Sequence, residues 1–109
     1  MANTHIDASV EREWKEAELL LTTSPREGLK VLDQIAGDLL RANGYELGAA
    51  SGNEVDMDVI ARVDDPELLM GYIEAHAVTE MLATGRTTGR ETIDLAHEAY
   101  WTIYDSFAG

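Results

Sequence analysis

The chain has 109 residues, 45% of them apolar, which suits one globular domain spanning 1–109. Eight Lys and Arg stand against 21 Asp and Glu, a net charge of −13, which argues against direct contact with nucleic acid or an anionic membrane surface. Cysteine is absent, excluding disulfides, thiolate metal sites and cysteine nucleophiles, and without an apolar run of membrane-spanning length or a signal-peptide core the expected location is the cytoplasm.

Glycine and proline divide the chain. From Asp7 to Thr23, Ile6, Val10, Trp14, Ala17 and Leu21 recur at steps of three and four, a helical stripe. Ser24-Pro25-Arg26-Glu27 opens a second helix, with Ser24 and Glu27 as a capping box and Pro25 at the first position. Leu29, Leu32, Ile35, Ala36, Leu39 and Leu40 form its apolar face, and Asn43-Gly44 stops it. Residues 45–53 read as a loop, rich in turn formers.

The stretch 54–63 carries two patterns. Val55, Met57, Val59, Ala61 and Val63 alternate with polar residues as in a strand. Ser51 and Glu54 form a capping box, and Val55, Val59, Ile60 and Val63 fit a helical stripe. A lone strand has nothing to pair with, so a short helix is expected and the strand is the alternative. Asp65-Pro66-Glu67 begins a helix that ends at Gly85, with Leu69, Tyr72, Ile73 and Ala77 expected on its central face. Thr88 and Glu91 cap the last helix, which runs to about Phe107 on a stripe of Ile93, Ala96, Tyr100, Ile103, Tyr104 and Phe107. The expected fold is an all-α bundle of four long helices and one short one.

Charge is uneven along this pattern. Residues 45–85 hold one base, Arg62, and nine acids, a net of −8. Such crowding is self-repulsive. Glu46, Glu54, Asp56, Asp58, Asp64, Asp65 and Glu67 form the candidate docking face for a basic protein. Solubility, or adaptation to high salt, is the competing explanation. Trp101 lies off the apolar stripe beside Asp94 and Asp105, and it is the candidate interface anchor.

Two other constellations bear on chemistry. His76 and Glu80 are an i, i+4 pair expected on the central face of their helix, between Leu69 and Ile73, with His97 opposite and Asp94 further out. As a set they have the donor types of a zinc, iron or manganese site. The competing assignment is a core histidine satisfied by Glu80 or by a tyrosine, Tyr72 or Tyr100. No metal or cofactor is expected. Glu13-x-x-Glu16 and Glu91-x-x-Asp94 resemble the magnesium-binding carboxylate pairs of MazG-type all-α nucleotide pyrophosphohydrolases. That resemblance implies a nucleotide-hydrolysing bundle, although here 74 residues lie between Glu16 and Glu91, far more than in that family.

The chain is therefore expected to be a non-enzymatic interaction protein that binds and inhibits or regulates a basic partner. A nucleic-acid-binding complex is the partner type that such a face fits, and a homodimer is left open. At class level the chain resembles phage-encoded DNA-mimic and anti-CRISPR inhibitors, because carboxylates on rigid helices imitate a phosphate track. The metal-binding bundle and the pyrophosphohydrolase are the alternatives.

Overall fold

The computed structural model describes residues 8–45 and 66–108. These residues form four helices: α1 (Ala8–Thr23), α2 (Pro25–Ala42), α3 (Pro66–Ala83) and α4 (Arg90–Ala108). The fold is all-α, as the apolar periodicity predicts, with no strand among the described residues. The short helix at 54–63, its strand alternative and the loop before it lie outside the described residues. None of the four helices is long and apolar enough to cross a membrane.

Both glycine stops close helices in the same way. Gly44 and Gly85 have φ near +90°, a conformation open to glycine because it lacks a Cβ. Around Gly44, the Tyr45 N–H donates to the Leu40 carbonyl and the Gly44 N–H to that of Arg41. Around Gly85, Arg86 donates to Met81 and Gly85 to Leu82. Each is a Schellman motif, which satisfies carbonyls that a helix end leaves bare.

The predicted starts are less literal. Ser24 makes no side-chain cap bond. Its N–H instead continues the α1 ladder to Leu20, and its carbonyl accepts from Gly28. Pro25, which has no N–H, breaks that ladder and turns the chain back. At α4 the first carbonyl to accept is that of Gly89, from Thr92 and Ile93, one residue beyond the expected Thr88 cap.

The core is built on α2, which packs against all three other helices. Its predicted face is buried in full: Leu29, Leu32, Ile35, Ala36, Leu39 and Leu40. Trp14, Ala17 and Leu21 cover it from α1, and Ile93, Ala96, Tyr100 and Ile103 from α4. On α3 the buried face differs from the predicted one. It is Leu68, Leu69, Tyr72, Ala75 and Thr79, with Ala77 exposed and Ile73 half-buried. Apolar residues lie on nearly every side of α3, so periodicity does not select a face there. The neighbours α2 and α4 select it.

The short turn brings α1 and α2 close. A Cβ at Gly28 would lie 2.9 Å from both the Ala17 carbonyl oxygen and Leu21 Cδ2. Gly28→Val is therefore expected to force the hairpin apart and lower stability by about 1–3 kcal/mol. Urea denaturation measures this, and a midpoint equal to that of the parent chain would show that the contact is slack.

Candidate functional site

The most connected polar residue is one the sequence reading did not single out. Asp33 sits midway along α2, its side chain only 17% exposed. Its Oδ2 accepts from the Tyr100 hydroxyl at 2.6 Å and from His76 Nδ1 at 2.7 Å. Its Oδ1 accepts from the Tyr72 hydroxyl at 3.2 Å. Thr79 Oγ1 lies 2.7 Å from the Tyr100 hydroxyl oxygen and 3.0 Å from the Ala75 carbonyl. Tyr100 gives its proton to the carboxylate, so the Thr79 proton is shared between the Tyr100 oxygen and Ala75.

The sequence did contain a signal for Asp33. It stands four residues after Leu29 and three before Ala36, on the flank of a fully buried stripe. A carboxylate there must find donors, because burying it without partners costs several kcal/mol.

His76 belongs to this centre. Its ring stacks on Tyr72, with centroids 5.5 Å apart. The hydrogen bond to Asp33 assigns the proton to Nδ1 and leaves Nε2 facing outward, 3.9 Å from Glu80 Oε2. A carboxylate-oriented imidazole is the arrangement a general base uses. Here, however, Nε2 has no hydroxyl within hydrogen-bond reach among the described residues. The predicted partner Glu80 is 63% exposed, because the buried face of α3 is centred on Tyr72 and carries Glu80 out to its rim. His76 is bonded to Asp33, not to Glu80 or a tyrosine as the sequence suggests.

His97 does not join His76. It turns to α1, where Nε2 lies 2.9 Å from Glu18 Oε2. Asp94 pairs with Arg90 Nε at 3.2 Å and is mostly exposed. The two histidines thus serve different seams, and no three His, Asp or Glu residues converge on a metal position among the described residues. Glu13 and Glu16 line a groove between α1 and α2 that neither Glu91 nor Asp94 reaches. The four carboxylates of the pyrophosphohydrolase pattern are not gathered into one site.

Of the predicted docking face, Glu46, Glu54, Asp56, Asp58, Asp64 and Asp65 lie outside the described residues. Glu67 stands exposed in the first turn of α3. Trp101 is 46% exposed on α4, off the stripe as its spacing predicts. Comparison with protein-family models, curated proteins and solved structures gave no match.

The tyrosines record how dry the centre is. Burial, and then the neighbouring Asp33 charge and its hydrogen bond, push both Tyr72 and Tyr100 well above the usual phenol range. A proton held more tightly by the folded than by the unfolded chain stabilises the fold below the unfolded pKa, about 10, and that contribution is lost as pH rises above it. Stability should therefore fall above about pH 10. The fall should be shallower in Tyr100→Phe, by up to about 1.4 kcal/mol per pH unit. Parallel slopes in urea denaturation series would exclude the coupling. At neutral pH, Asp33→Ala should cost at least about 2 kcal/mol, since three donors lose a charged acceptor. Glu80→Ala should stay within about 0.5 kcal/mol.

Proposed function

We propose that this chain is a non-enzymatic, acidic interaction module that binds a basic surface of another protein and blocks or regulates it. The observation that carries the reading is how the charges are used. Four of the seven described cations are engaged within the chain, and Arg12, Lys30 and Arg86 stand exposed. Arg90 donates to the Leu21 carbonyl at 2.9 Å and pairs with Asp94, and Arg26 donates to the Ala83 carbonyl at 3.2 Å. Lys15 and Arg41 pair with Glu11 and Asp38 on their own helices. By contrast Glu13, Glu16, Glu74, Glu91, Glu98 and Asp105 are exposed and have no cation partner among the described residues.

An uncompensated field of this kind costs stability and steers basic partners. The acids of residues 46–67 add to the net negative charge, and the exposed Trp101 supplies a large apolar anchor. A protein whose groove ordinarily holds nucleic acid has the complementary chemistry, which is the basis for likening the chain to DNA-mimic inhibitors such as those encoded by phages. The other use of such charge is solubility in high salt, which predicts no partner.

Proteins that copurify with the tagged chain at about 50 mM salt provide the test. Bound partner should be released as salt rises to about 500 mM, where the Debye length shrinks from roughly 14 to 4 Å, and duplex DNA should compete for it. Reversal of Glu54, Asp56 and Asp58 to lysine should weaken the complex more than about tenfold, with the helical circular-dichroism signal unchanged. Retention of partner by the triple variant at every salt concentration would overturn the reading.

A further inference from the structure

The α1–α2 hairpin carries a surface groove that no residue of α3 or α4 lines. Its volume is about 360 Å³, within the range that takes up side chains of a ligand or partner. Ala17, Leu20, Val31 and Ile35 form its floor, with Glu13 and Glu16 along one wall and Gln34 and Asp38 along the other. Ala17 and Ile35 are buried, whereas Leu20 and Val31 keep part of their surface in water.

We propose that this groove docks an amphipathic helix bearing Lys and Arg on the partner protein. The inference rests on the basic-partner reading above and adds the place and mode of contact. An apolar floor between carboxylate walls takes an apolar side chain at the centre and cations to either side. The lining residues span Glu13–Leu20 and Val31–Asp38, about two helical turns or roughly 11 Å at 1.5 Å per residue. That length matches the i, i+3/i+4, i+7 anchors by which amphipathic helices enter grooves.

Charge decides between occupants. The chain's own residues 46–65 hold six acids and one base, and a second copy carries −13, so both are repelled by the walls. Glu13 and Glu16 have no cation partner among the described residues. Among the described residues Asp38 is held only by the exposed Arg41, at 3.2 Å, which an incoming guanidinium displaces at little cost because both groups are in water.

The probe is a labelled amphipathic peptide of four helical turns, leucine on one face and lysine on the other, titrated into the full chain at low salt. Three variants read the mode of contact. The wall variant is Glu13→Gln with Glu16→Gln, both exposed and harmless to the fold. The floor variant is Leu20→Ser with Val31→Ser, used if circular dichroism shows it folded. The control is Glu91→Gln, Glu98→Gln and Asp105→Asn together, which removes more charge away from the groove.

The proposal expects the wall and floor variants to weaken binding more than about tenfold and the control less than about threefold. Amide resonance shifts should be confined to residues 13–20 and 31–38. A control variant that weakens binding as much as the wall variant would show that the peptide follows the overall field. That result overturns the groove and leaves the basic-partner reading standing. A chain that still captures a salt-sensitive basic partner but ignores the peptide overturns the groove likewise. If neither peptide nor basic partner binds, both fall.

Discussion

One carboxylate organises the described fold. Asp33 lies on α2, the helix that touches every other, and its hydrogen-bond donors come from α3 (Tyr72 and His76) and α4 (Tyr100). A charge placed this deep is tolerated only when its oxygens are filled with donors. Rotating α3 to bury Ile73 and Ala77 instead would move Tyr72 and His76 away and leave Asp33 and Tyr100 short of partners. Apolar burial is non-directional and would accept either rotation. The polar centre therefore selects one packing of α3 among several that its apolar surface permits.

The joint to α1 is of a different kind. Gly28 permits close approach to α2. Trp14 of α1 stacks on Tyr104 of α4 with ring centroids 4.4 Å apart, while Glu18 bonds His97 and Arg90 reaches the Leu21 carbonyl. These last contacts close a half-exposed seam along one edge of α1. The opposite edge, with Glu13, Glu16 and Leu20, is left to the groove. The same helix thus uses one flank to complete the bundle and presents the other to solvent.

Charge is sorted in the same way. Arg26 and Arg90 are spent on helix-end carbonyls, where a cation meets the negative end of a helix dipole, and the two histidines bridge helices through carboxylates. Arg12, Lys30 and Arg86 also stand exposed, but exposed acids outnumber them. The field around the chain is set by its net charge of −13.

The described helices and their stops are legible from local residue patterns. Apolar spacing of three and four marks α1, α2 and α4 and most of their buried residues, and Gly44 and Gly85 end helices at a φ near +90° that favours glycine, because these are local properties of consecutive residues. The sequence also determined that Trp101 lies off the core stripe. The rotation of α3 was decided by tertiary structure alone, since that helix is apolar on nearly all sides and its burial depends on what α2 and α4 present. So were the partners of the polar residues. His76 meets Asp33, 43 positions away, and His97 meets Glu18, 79 positions away. Pairing across such separations follows from how helices are set side by side, and the apolar contacts that set them carry no record in sequence of which polar group faces which.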